Sequence, residues 1–208
     1  LRVGLAHLGG QHIHQLVEEG RARAQLVAVA NGAAGDAAQH VATPLVARHH
    51  AIGDGANHQV LNTYERLLKE NPREDPRLRI EHFQVVTPED IDRALELGIL
   101  TAMQFTHATS DLSMAEDRLG PERIQTAYAW RTVLDKGGII IGGSDAPVEM
   151  VNPFHGLYAG VTRITRAGEP EGGWYANQKV TREEALRAFT IWAAYGQFEE
   201  DLKGSLEP

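Results

Sequence analysis

Gly137-Gly138-Ile139-Ile140-Ile141-Gly142-Gly143-Ser144-Asp145-Ala146-Pro147 reads as a strand and the turn that leaves it. Three consecutive β-branched residues offer water no polar face, so the run predicts a short strand buried on both sides. Each isoleucine contributes roughly 2 kcal/mol when fully buried. Gly142 and Gly143 let the backbone turn or be approached closely, and Pro147 stops further pairing. Ser144 and Asp145 sit just past the strand's C-terminal end. In α/β folds that end is where chemistry is placed, so Asp145 is a metal-ligand or proton-transfer candidate. An Asx-turn or helix-capping role is the alternative for the same residue.

Upstream of this strand the order is regular. Leu45 to His50, Leu78 to Phe83 and Ile99 to Gln104 read as strands. Asn57 to Glu70 carries an apolar stripe of Val60, Leu61, Tyr64, Leu67 and Leu68 at helical spacing. Thr87-Pro88-Glu89-Asp90 starts a second helix, with a threonine cap and a proline at the first helical position, closing near Gly98. A longer loop containing His107 leads to a helix over Pro121 to Lys136. Downstream, Phe154 to Ile164 is a helix, Gly168 to Gln178 is a loop, and the capping box Thr181-Arg182-Glu183-Glu184 starts a helix through Ala194. Strands alternating with helices at this spacing predict an α/β fold with parallel strands and right-handed crossovers.

Composition narrows the function. The chain has 208 residues, 42% hydrophobic and 23% charged, which suits a soluble domain with a core. A net charge of -8 argues against nucleic acid as a partner. Cysteine is absent, so disulfides and thiolate chemistry are excluded, and a cytoplasmic location is expected. No 18-residue apolar run is present, so no membrane span is expected. Ten histidines supply groups that ligate metals or move protons near neutral pH.

Polar residues recur at the strand ends: His50, Glu81-His82, Gln104 with His107, and Ser144-Asp145. In a parallel sheet these ends share one rim, so His50, His82 and Asp145 are candidates for one metal site. Two imidazoles and a carboxylate suit Zn²⁺, Fe²⁺ or Mn²⁺. A metal there would activate water and polarise a carbonyl, with Asp145 as proton carrier. His107 is a candidate for substrate or metal contact, with a loop hydrogen bond as its alternative. His12-Ile13-His14 is a second pair. On a strand, residues i and i+2 point the same way and can grip one ion, whereas on a helix they diverge. His49 would face away from His50 and is structural by this reading.

The sequence resembles the metal-dependent amidohydrolases, in the amidohydrolase-3 branch that includes N-substituted formamide deformylases. The resemblance rests on His50-Ala51-Ile52-Gly53-Asp54, Arg79-Ile80-Glu81-His82, Met103-Gln104-Phe105-Thr106-His107-Ala108-Thr109-Ser110 and Ala115-Glu116-Asp117-Arg118-Leu119-Gly120. It continues through Ala127-Tyr128-Ala129-Trp130-Arg131, Gly143-Ser144-Asp145-Ala146-Pro147-Val148-Glu149 and Gly204-Ser205-Leu206-Glu207-Pro208. It implies a (β/α)8 TIM-barrel fold, one or two divalent metals, zinc foremost, and hydrolysis of carbon–nitrogen bonds in small amide or formamide substrates. It further implies that His50 ends barrel strand 5 and His82 strand 6, both as metal ligands. Asp145 would end strand 8 as ligand and general base, and Gln104 and His107 would lie near substrate after strand 7.

Two departures from the family pattern shape the expectation. The family carries a His-x-His pair on strand 1, which His12 and His14 imitate, and a bridging Lys or Glu on strand 4, which has no match. Only 49 residues precede His50, whereas a whole barrel takes about 250 residues. The expected organisation is therefore a poorly matched segment over 1–44 and the C-terminal half of a barrel over 45–208. Such a chain is either a fragment of a longer hydrolase or a truncated homologue. The second account gives an inactive barrel with a structural or interaction role, in which self-association covers open sheet edges.

Overall fold

The computed structural model describes residues 48–206. Four strands, β1 (Arg48–Ala51), β2 (Arg79–His82), β3 (Leu100–Met103) and β4 (Ile140–Gly142), form one sheet in the order β1-β2-β3-β4. Every neighbouring pair is parallel. Parallel neighbours in sequence order are the arrangement found along an arc of a (β/α) barrel.

Helices fill the crossovers. α1 (Asp54–Glu70) joins β1 to β2, and α2 (Pro88–Glu96) joins β2 to β3. α3 (Phe105–Arg123) and α4 (Trp130–Asp135) lie between β3 and β4. α5 (Pro153–Thr162), α6 (Arg182–Phe189) and α7 (Ile191–Tyr195) follow β4. Two predicted starts have the expected cause: the Thr87 side chain accepts from Asp90 N, and Thr181 forms a reciprocal capping box with Glu184. Gly98, at φ 67, ends the α2 segment where a left-handed residue is needed.

β3 is buried on both faces, whereas β1 exposes Arg48 and His50, and β4 shows why its sequence is so apolar. Ile140 packs into the main core with Leu61, Tyr64, Ile80, Met103, Phe105, Trp130 and Val133. Ile141 turns the other way, into a smaller cluster with Leu100 and Ala102, capped by Ile139, Ala193 and Tyr195. The α7 segment therefore covers the face that α1 to α4 do not. Its attachment is the Arg77 side chain, stacked 3.7 Å from the centre of the Tyr195 ring and 4.0 Å from that of Phe198. Arg77 also donates to Tyr195 O and pairs with Asp75 and Glu200. Gly142 is needed for close approach, because a β-carbon there would lie 3.0 Å from the Phe189 ring.

Four expectations are corrected. His107 is not in a loop: it lies in the first turn of α3, where Phe105, Thr106, His107 and Ala108 are all buried. A turn buried on all sides has no amphipathic stripe to reveal it. The helix expected over Pro121 to Lys136 is interrupted. The chain leaves α3 through a kink at Gly120 (φ 74), makes a short 3₁₀ turn at Ile124–Thr126, and becomes helical again only at Trp130. Between them Ala127 bridges Val85, and Tyr128 N donates to Gln84 O at 2.7 Å, so contacts with the β2 exit override local propensity. The helix expected through Ala194 breaks at Thr190 (φ -127, ψ -100). On α1, Leu67 is exposed, so the buried stripe is Asn57, Val60, Leu61 and Tyr64.

Candidate active site

The C-terminal ends of the strands bring His50, His82, His107 and Asp145 into one chain of contacts. His50 Nδ1 and His82 Nε2 are 3.1 Å apart. The rings of His82 and His107 stack with centroids 5.7 Å apart and an interplanar angle of 23°. His107 Nε2 lies 3.8 Å from Asp145 Oδ2. His12 and His14 lie outside the described residues.

The pairing of His50 with His82 departs from regular strand geometry. In the β1–β2 register His50 stands opposite Glu81, and Ala51 opposite His82. Side chains alternate along a strand, so a regular β2 would set His82 on the Ala51 side and leave Glu81 beside His50. Instead the backbone turns left-handed at His82 (φ 75) and Phe83 (φ 42), and the imidazole meets His50. Such residues cost on the order of 1–3 kcal/mol each and persist only where the surroundings enforce them. Asp145 is also left-handed, at φ 55.

Hydrogen bonding sets the protonation pattern. His82 Nδ1 lies 3.1 Å from Gln104 Oε1, an oxygen that only accepts, so Nδ1 carries the proton. Burial is the main influence on the ring and holds its pKa below the usual value; Asp145 opposes this, while His107 and His50 reinforce it. A neutral ring protonated on Nδ1 has its lone pair on Nε2. The Nδ1–H of His50 donates to that lone pair.

This geometry fits two positions of a divalent ion's donor set. Two imidazole nitrogens on one tetrahedral ion, each bound at about 2.0–2.1 Å, are about 3.3 Å apart. The observed 3.1 Å is close to that spacing, and an ion held by both nitrogens would replace the single shared proton. Gln104 would serve as the outer partner that orients a ligating histidine. Among the described residues, no group of three or more His, Cys, Asp or Glu side chains is placed to hold a metal ion. The described residues thus bring two imidazole nitrogens together, with Asp145 beside His107.

His107 Nε2 and Thr106 Oγ1, at the start of α3, are buried without a hydrogen-bond partner. His49 is structural, as expected: its Nδ1 meets Tyr64 OH at 2.8 Å on the helix side of the sheet. Two features escape the sequence reading. Asp111 Oδ2 accepts from Tyr128 OH and Gln84 Nε2, both at 2.8 Å, and burial raises the Asp111 pKa. Its spacing of four residues from His107 on one helix was the available signal. Asn57 is the second, a buried polar residue inside an apolar stripe.

A parallel α/β sheet thus gathers imidazoles and a carboxylate at its strand ends. A model of the Amidohydrolase family matches residues 30–208, and the chain belongs to that family. It is 35% identical over 157 residues to a Bacillus subtilis (strain 168) protein named amidohydrolase YtcJ, covering 76% of this chain and 29% of that protein. It is 27% identical over 160 residues to the N-substituted formamide deformylase of Arthrobacter pascens, covering 76% of this chain and 29% of the deformylase. A crystal structure of an uncharacterized metal-dependent hydrolase from Pyrococcus furiosus matches with a TM-score of 0.63 at 29% identity, over 78% of this chain and 31% of that one. The chain therefore spans less than a third of the length of these relatives.

Proposed function

We propose that this chain supplies strands 5 to 8 of an amidohydrolase barrel, over residues 45–208, and takes part in metal-dependent hydrolysis of carbon–nitrogen bonds in amides or formamides. The observation that carries the reading is the 3.1 Å pair of His50 Nδ1 and His82 Nε2 on adjacent strand ends. Zinc is the proposed ion, because two imidazoles with a nearby carboxylate suit it. His12 and His14, in the N-terminal segment 1–44, are proposed to add the remaining nitrogens.

When bound, such an ion supplies Lewis acidity toward the amide carbonyl and toward water. The chain's own residues do the rest. His50 and His82 would hold the ion, and Gln104 would keep the His82 lone pair turned toward it. Asp145 takes the proton from the attacking water and delivers it to the departing nitrogen. His107, 3.8 Å from Asp145, orients that carboxylate and the substrate. The substrate is a small amide. Among the described residues no helix is long and apolar enough to cross a membrane. A cytoplasmic location is part of the proposal, supported by a chain without cysteine.

One observation favours a second reading, an inactive barrel arc that acts by association: the described residues do not complete a three-donor site. Metal analysis of the purified protein, with hydrolysis assays on N-alkyl formamides and simple amides, separates the two. The enzyme reading expects about one zinc per chain or more, and turnover lost in Asp145→Asn with metal retained. Metal-free, inert protein that self-associates on size-exclusion chromatography overturns it.

A further inference from the structure

Asn57 is fully buried in the first turn of α1. Its Nδ2 group lies 3.2 Å from Ala51 O, 3.5 Å from Ile52 O, 3.0 Å from Gly53 O and 3.1 Å from Val85 O. The first three carbonyls belong to the exit of β1, which carries His50. The fourth belongs to the exit of β2, which carries His82. A backbone bond from Val85 N to Ile52 O, 2.8 Å long, joins the same two exits.

The helix does not need this amide. Its first turn is closed by the Asn57 backbone, whose N–H donates to Gly53 O at 3.0 Å. Oδ1 of Asn57 is buried without a partner, a cost that an apolar residue in the same stripe would avoid. What the amide adds is a tie between two loops, one of which is held left-handed at His82 and Phe83.

We infer that Asn57 is a positioning residue: by bridging the exits of β1 and β2 it sets the spacing of the His50 and His82 rings. The inference rests on the proposed metal pair for its functional meaning, while its geometric content concerns the two rings alone.

The test compares Asn57→Ala with Tyr64→Phe in the full chain. Tyr64 is a matched control: it is also buried on α1, and its hydroxyl meets His49 Nδ1 at 2.8 Å and Arg79 O at 2.9 Å, away from the exits. The first readout is the NOE between the His50 and His82 ring protons in chelator-treated protein. The second is the zinc dissociation constant from titration calorimetry. The parent protein and Tyr64→Phe are expected to show the ring contact and to bind zinc within twofold of each other. Asn57→Ala is expected to lose the contact and bind zinc at least about 10-fold more weakly, the range for an outer partner of a ligand. Asn57→Ser, which still donates to one exit but cannot span both, serves if the alanine variant fails to fold.

An intact ring contact in the Asn57 variants overturns the inference, as does equal loss in Tyr64→Phe or no contact in the parent. If the parent binds no zinc but the contact is still lost in the Asn57 variants, the metal reading fails and the positioning role stands.

Discussion

His50 Nδ1 and His82 Nε2 face each other at 3.1 Å although the β1–β2 register places Glu81, not His82, opposite His50. Two functional groups that strand alternation would separate are joined by a left-handed strand end. An ion held by both rings would depend on that joint. Saturating zinc at 100 times its dissociation constant should stabilise the parent protein by about 2.7 kcal/mol. His50→Ala and His82→Ala should each lose that gain. Thermal melts with and without zinc measure it.

Gln104 determines which nitrogen of His82 is free. Gln104→Met removes the oxygen that accepts from Nδ1. The ring should then redistribute its proton between both nitrogens, visible as a change in the ¹⁵N shifts of His82. Zinc affinity should fall about 10- to 100-fold. Unchanged shifts and affinity would assign Gln104 to packing alone.

Glu184 makes stability depend on acid. Its hydrogen bonds with Arg131, followed by those from Thr181, hold the carboxyl at about 2, below an ordinary 4.5. A folded-state value below the unfolded one stabilises fully above the unfolded value and is lost as pH falls toward the folded one. The parent should therefore exceed Glu184→Gln in stability at pH 6, with the difference shrinking from about pH 4.5 downward toward about pH 2. Urea melts across that range check the sign.

Ile140 is fully buried, whereas Ile139 is only partly covered. Ile140→Ala should cost about 2–5 kcal/mol and Ile139→Ala clearly less. Equal costs would mean that α7 covers its face as tightly as the helices cover the other. Chemical denaturation of both variants decides.

Much of this architecture was legible because its causes are local. Three isoleucines between glycine pairs require two covered faces, and Ile140 and Ile141 do pack into different clusters. Thr87 and Thr181 announce helices because capping acts over three residues. What escaped acts at a distance. The first turn of α3 hides its helix by being buried all round, and the break at Tyr128 exists because Gln84, 44 residues away, holds it. The strand-end histidines could be read as a set, but not the left-handed backbone that brings His82 to His50. Asn57 marked only the start of a helical pattern, and only the fold shows which carbonyls it reaches.

The Arg77 clasp bears on the order in which the protein is made. Its hydrogen bond to Tyr195 O spans 118 residues of sequence. During synthesis, β3 and β4 therefore emerge before the segment that shields Leu100, Ala102 and Ile141. Until Tyr195 and Phe198 arrive to sandwich that guanidinium, the nascent sheet carries a bare apolar face, the kind of surface on which unfinished chains stick to one another. Cover for Leu100, Ala102 and Ile141 thus comes from a segment made after the strands that carry them.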